Sequence, residues 1–220
     1  MLERLSGFLK KLKFKFFGGY DSAAYWKGRH RQYGFDIRGV GNKALSIEEN
    51  AAQYEQASKV FYELCKGESI DFSKAKILDI GCGIGYYTAI FKNQGTRNYL
   101  GLDITDELFP ELKKKYPDFT FAKHDVTEKA IEGKYDLVIM IDVTQHITEE
   151  QKFKKAMKHI REALSDKGIF IVTSWLDETK VNSYYEKSRS MDSYITCFPG
   201  FYFSKPLEFR DKFIFTMHRK

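Results

Sequence analysis

From residue 46 onward the chain alternates between two hydrophobic rhythms. "SIEENAAQYEQASKVFYELCKG" has helical spacing, opens on a capping box of Ser46 and Glu49, and closes at Gly67. "KILDI", residues 76–80, is short and almost wholly apolar, as expected of a strand buried on both faces of a parallel sheet. The alternation continues with a helix from Tyr86 to about Asn93, a strand "NYLGLDI" and a helix from about Asp106 to Lys115. Strands "FTFAKHDV" and "DLVIMIDV" follow, and Thr148 with Gln151 reads as a second capping box opening a helix to about Leu164. "GIFIVTSW" is the fifth strand. This order predicts an α/β fold with a doubly wound, mostly parallel sheet. The last 45 residues break the rhythm: "FYFSKP" and "KFIFTMHR" predict an antiparallel C-terminal pair at one edge.

The glycines after the first strand change the picture. Gly81, Gly83 and Gly85 stand where an open α/β sheet binds its ligand, beyond the carboxyl end of a strand. Bare backbone there lets a bound molecule approach closely. A dinucleotide loop has the spacing G-x-G-x-x-G. Here the order is Asp79, Gly81, Gly83, Gly85, so the third glycine comes one residue early and an acidic residue belongs to the loop. A carboxylate there repels a pyrophosphate and suits an ammonium or a sulfonium.

On these residues the chain resembles the class I S-adenosylmethionine-dependent methyltransferases. Asp79, Gly81, Gly83 and Gly85 match the first motif of that family, Asp103 its ribose-holding acid, and Asp125 in "HDVT" its contact to the adenine amino group. With "DLVIMIDVTQHI" as fourth strand, the resemblance covers roughly residues 75 to 175. It implies the Rossmann-like methyltransferase fold and S-adenosyl-L-methionine as cofactor. The contacts it implies come from Asp79, Gly81, Cys82, Gly83, Gly85 and Tyr86, from Asp103 and Ile104, from Asp125 and Val126, and from Asp142. It also implies that "IDVTQHI" faces the methyl group, which makes His146 the candidate base or acceptor-orienting residue, since an unperturbed imidazole with a pKa of about 6.5 accepts a proton near pH 7. The "GGYDSAAYWKGRHRQYGF" segment resembles the lid of some relatives, with Tyr20, Tyr25, Trp26 and Arg29 as candidates and Tyr25 counted among the cofactor contacts. His30 and Arg31 are expected at the surface, and Arg210 and Lys212 are expected to face solvent rather than an anionic acceptor.

Charge divides the chain in two. Residues 1–43 hold ten Lys and Arg against three acidic residues, a net +7 within the total of +6, so residues 44–220 are close to neutral. The expected organisation is a basic N-terminal helical extension with a lid over 1–43 and a methyltransferase domain over 44–220. Within the extension, Leu2, Leu5, Leu9, Leu12 and Phe16 recur at helical spacing among lysines. Such a basic amphipathic helix binds a membrane surface or a partner, or packs on its own domain or a second subunit. Gly18 and Gly19 supply a hinge after it.

A nucleic-acid enzyme more often carries its basic stripe across the working face. The neutral core and the absence of an N-P-P-Y loop therefore weigh against nucleic acid. The favoured acceptor is a small molecule or glycan, methylated on oxygen. RNA or protein acceptors, and a binding subunit without turnover, stay as the alternatives. Three cysteines at unpatterned spacing exclude a disulfide framework and a cysteine-rich zinc site, and no metal is expected. No apolar run approaches the roughly 20 residues of a membrane span. Nor is a secretory leader expected, so the predicted location is cytoplasmic, with the inner membrane surface as an alternative for the extension.

Overall fold

The computed structural model describes residues 20–220; the amphipathic helix expected over residues 1–17 lies outside them. Helix α1 spans Ser22–Tyr33, α2 Ile47–Gly67, α3 Tyr86–Asn93, α4 Phe109–Lys115, α5 Glu150–Ala163 and α6 Met191–Cys197. Strands β1 to β5 span Lys76–Ile80, Asn98–Asp103, Thr120–Lys123, Tyr135–Met140 and Leu164–Ser174. Strands β6 to β10 span Lys180–Ser183, Glu186–Ser188, Phe201–Phe203, Leu207–Phe209 and Lys212–Arg219.

The main sheet runs in the order β3-β2-β1-β4-β5-β10-β8, with β9 also paired to β10. Strands β1 to β5 are mutually parallel, and β10 is antiparallel to β5, β8 and β9. Alternate side chains of each central strand enter different cores, as period-two geometry requires. Ile77, Leu137, Ile139, Ile171 and Ile214 pack toward Ala57, Phe61 and Leu64 of α2 and Phe91 of α3. Leu78, Val138, Met140, Phe170, Val172 and Phe215 pack toward Phe153, Met157 and Ile160 of α5 and Tyr194 of α6. Each fully buried Phe or Ile contributes about 1.5–3 kcal/mol, so both faces of the sheet are held. The expected α/β architecture is present, and the C-terminal pair is antiparallel, although β10 lies inside the sheet with β8 and β9 outside it.

Local signals explain most boundaries. The Ser46–Glu49 capping box forms, with the Glu49 amide donating to Ser46 Oγ at 3.1 Å and the Ser46 amide to Glu49 Oε2 at 2.8 Å. The second expected capping box does not form. Helix α5 takes Glu149 as N-cap with no side-chain bond, one residue later than expected, which puts Gln151 at the second helical position, out of reach of a box with Thr148. Helix α4 begins at Phe109 rather than near Asp106, because Pro110 fits only the first turn. The β6–β7 hairpin and α6 had no counterpart in the sequence reading.

Candidate functional site

Strand order reverses between β1 and β4, and a cleft enclosing about 930 Å³, its open mouth included, lies beyond their carboxyl ends. The loop leaving β1 forms its floor. The amides of Gly81 and Cys82 both donate to the Leu102 carbonyl, at 2.7 and 3.0 Å, which fastens the loop to β2. Gly81 has φ +79° and Gly83 φ +49°, left-handed values that L side chains rarely adopt. A Cβ on Gly81 would collide with Val143, whereas one on Gly83 would come nearest Val40 Cγ1, at 3.1 Å. Gly83 therefore presents bare backbone to the space.

Asp103, at the end of β2, accepts the Gly83 amide on Oδ2 and the Thr105 amide on Oδ1, each at 3.1 Å. It is buried, and burial pushes its carboxyl above the usual range, opposed by the nearby His30 ring. Asp125 closes a turn, its Oδ1 accepting from the Thr127 amide at 2.8 Å and hydroxyl at 2.6 Å. Asp142, after β4, sits at φ +60° with its amide donating to Thr173 Oγ1 at 2.8 Å. Its carboxylate pairs with the Arg210 guanidinium and lies 3.4 Å from Lys212 Nζ, yet Oδ1 has no hydrogen-bond partner among the described residues. Gly81, Cys82, Gly83, Tyr86, Asp103, Ile104, Asp125, Val126, Asp142 and His146 all line the cleft.

Three expected contact residues stand off the wall. Asp79 is buried beneath the loop, accepting a 2.7 Å bond from the Tyr99 hydroxyl, and burial raises its carboxyl to about 7. Gly85 caps α3 against Leu112. Tyr25 packs away from the cleft, stacked on Tyr185 with centroids 5.0 Å apart.

Helix α1 roofs the cleft with Trp26 and His30. Arg29 fixes this roof, its guanidinium donating to the carbonyls of Arg38 at 3.0 Å and Gly41 at 2.6 Å and to the Tyr25 hydroxyl at 3.2 Å. Exposed pairs from Lys27 and Arg31 to Glu107 add little. Arg31 is exposed as expected, but His30 is not: it is 4% exposed, and burial lowers its pKa against the pull of Asp103. Arg210 and Lys212 also depart from expectation, with side chains only 11% and 9% exposed. The β9–β10 turn folds both inward, and their cations lie over the rings of Tyr54 and Trp175.

His146 lies in a 3-10 turn, Thr144–His146. Its Nδ1–H donates to the Tyr185 carbonyl at 3.1 Å, which leaves Nε2 as the lone-pair nitrogen. The ring meets Trp26 edge-on at 4.9 Å and stacks with Tyr185 at 5.8 Å. Burial lowers its pKa to about 3, which removes most of the basicity that the sequence reading assumed. Arg189 holds this turn from behind. It is 1% exposed, donates to the carbonyls of Thr144 at 3.0 Å and of Ile147, and lies 4.0 Å over the Phe153 ring. Sequence reasoning missed Arg189, Tyr54, Val143 and Tyr185; nothing local marks them.

A family model described as a methyltransferase domain matches residues 51–205. A stretch of 110 residues is 31% identical to the malonyl-[acyl-carrier protein] O-methyltransferase of Hamiltonella defensa subsp. Acyrthosiphon pisum (strain 5AT), covering 47% of this chain and 42% of that protein. The match thus spans less than half the length of that relative. Among solved structures, the magnesium protoporphyrin IX methyltransferase of Synechocystis PCC 6803 with bound S-adenosylmethionine superposes with a TM-score of 0.68 at 18% identity, covering 92% of this chain and 99% of that one. A S-adenosylmethionine-dependent methyltransferase from Clostridium acetobutylicum ATCC 824 gives 0.60 at 15% identity, covering 76% and 92%. At these identities the structural likeness speaks for the fold.

Proposed function

The chain belongs to the methyltransferase-domain family, and on that premise we propose that it is an S-adenosylmethionine-dependent enzyme acting on an oxygen of a small-molecule or glycan acceptor. One observation carries the donor assignment. Among the described residues, the cleft wall holds three carboxylates, Asp103, Asp125 and Asp142, and no Lys or Arg. That wall repels a dinucleotide's pyrophosphate and accommodates a cationic ligand.

The residues present fit the donor. The bare backbone at Gly83 admits a close ligand, and the buried Asp103 carboxylate keeps lone pairs for ribose hydroxyls. Asp125, with Val126 beside it, supplies the adenine end. Asp142 stands on the same wall, its carboxylate paired with Arg210 and Lys212. Bound there, S-adenosylmethionine supplies a sulfonium-activated methyl group. The protein's own part is positioning: holding acceptor and donor about 3–3.5 Å apart is the larger share of such catalysis. His146 presents Nε2 to the acceptor end, Arg189 fixes the turn that carries it, and α1 with Trp26 excludes water as a lid formed within residues 1–43. Oxygen as the accepting atom draws support from the relative named an O-methyltransferase.

Calorimetric titration tests the reading. S-adenosylhomocysteine is expected to bind and NAD not; binding of NAD with no response to S-adenosylhomocysteine would overturn it.

A further inference from the structure

His30 lies on α1, in the roof of the cleft, and lines it together with Trp26. It is buried, yet its Nδ1 has no hydrogen-bond partner among the described residues. A buried polar nitrogen left unpaired is costly, and a side chain that only filled space would need no nitrogen at all. Its neighbours along the helix hold it in place. Arg29 ties α1 to the carbonyls of Arg38 and Gly41. Arg31, on the other side, donates to Glu107 at 3.0 Å, in the loop that follows Asp103. Helix α1 is thereby referenced to the end of β2.

Asp103 lines the same cleft from the end of β2. The two side chains are close enough to feel one another: Asp103 raises the His30 pKa against the effect of burial, and His30 lowers that of Asp103. They do not bond to each other. The Asp103 oxygens accept the amides of Gly83 and Thr105, and each keeps a lone pair that can only accept. Burial holds His30 neutral, with one N–H to donate and one lone pair. A hydroxyl complements both groups, giving its proton to the carboxylate and its oxygen to the imidazole N–H. In S-adenosylmethionine the alcohol hydroxyls are those of the ribose.

We infer that His30 is a donor-binding residue: its ring hydrogen-bonds a ribose hydroxyl that Asp103 also holds, so the lid helix and β2 grip the same sugar. This rests on the methyl-donor reading above and adds a residue to it. The bound sugar supplies the partner that the chain itself withholds from Nδ1. Filling the donor site then steadies the helix that sets Trp26 edge-on against His146.

Calorimetry on the full chain tests this with S-adenosylhomocysteine and its 2′-deoxy and 3′-deoxy analogues. The parent is expected to bind at least one analogue about tenfold more weakly, the scale of one lost hydrogen bond. His30→Phe keeps a buried ring but neither nitrogen, and should shrink one of the two penalties by about threefold or more. His30→Asn, with an amide nitrogen close to the place of Nδ1, should recover part of that discrimination. A packing role predicts that His30→Phe weakens all three ligands by one common factor; that result, or affinities equal to the parent's, overturns the inference. Should His30→Phe fail to fold, the parent decides. Labelled with nitrogen-15 histidine, its His30 ring signals, assigned by their absence in His30→Asn, should move with S-adenosylhomocysteine and less with one deoxy analogue. An identical response to all three ligands overturns the inference while leaving the donor reading standing. Failure of S-adenosylhomocysteine to bind the parent overturns both.

Discussion

Asp79 makes the stability of the fold depend on pH in an unusual direction. Its carboxyl is buried at the end of β1, accepts one 2.7 Å bond from the Tyr99 hydroxyl, and is raised from 3.8 to about 7, first by desolvation, with Asp103 adding to the rise. Between those values the folded protein holds a proton that the unfolded chain has released. Stability rises with pH only where the unfolded state binds more protons, so here it falls as pH climbs from about 4 to about 7. Each pKa unit is worth about 1.4 kcal/mol, so the full loss is about 4.4 kcal/mol, complete only well above pH 7. Asp79→Asn removes the titration and keeps an oxygen for Tyr99. The difference in unfolding free energy between Asn variant and parent should therefore grow by about 3–4 kcal/mol from pH 4 to pH 8, roughly 10 °C in Tm. Urea denaturation at several pH values measures it. Any fixed offset from the new amide leaves that slope untouched, so a flat difference would refute the reasoning.

Three other outcomes are expected. Asp103→Ala should weaken S-adenosylhomocysteine by about 1.5–3 kcal/mol, and unchanged calorimetric affinity would remove Asp103 from the donor site. Arg189→Met keeps the apolar stem but strands the carbonyls of Thr144 and Ile147, which should cost about 2–5 kcal/mol of stability in urea and reduce turnover; an unaltered midpoint would deny it the role of fixing the His146 turn. Deleting residues 1–17 should leave donor affinity unchanged and abolish binding to anionic vesicles, to which each lysine would add about 1 kcal/mol; parent protein that ignores such vesicles at low salt would reject the membrane anchor.

How much of this was legible in the sequence follows from the range of the interactions. The donor end is built from local instructions: an apolar strand, alternating glycines, and an acid at the end of the next strand. The Gly83 amide donates a hydrogen bond to Asp103 at 3.1 Å, and both were readable because each stands at a strand terminus whose position hydrophobic rhythm already fixes. Asp79 was readable as a loop acid but not as a buried one, since its burial depends on Tyr99 and the helices above β1. The acceptor end follows other rules. Arg189 reaches back 42 and 45 residues to the His146 turn, and Arg210 crosses from the β9–β10 turn to Asp142. Charged residues are placed at the surface by default, because burial without a partner is costly and the sequence does not display the partner. His30, Arg210 and Lys212 were assigned outward on that ground, and all three turn inward. Helix α6 did leave a trace, with Met191, Tyr194 and Phe198 at helical spacing, whereas the β6–β7 hairpin left none. The part of the site that holds a common donor is thus encoded in short range. The part that would choose an acceptor is assembled from the lid, the hairpin and the last strands, where only the folded chain shows which charges meet.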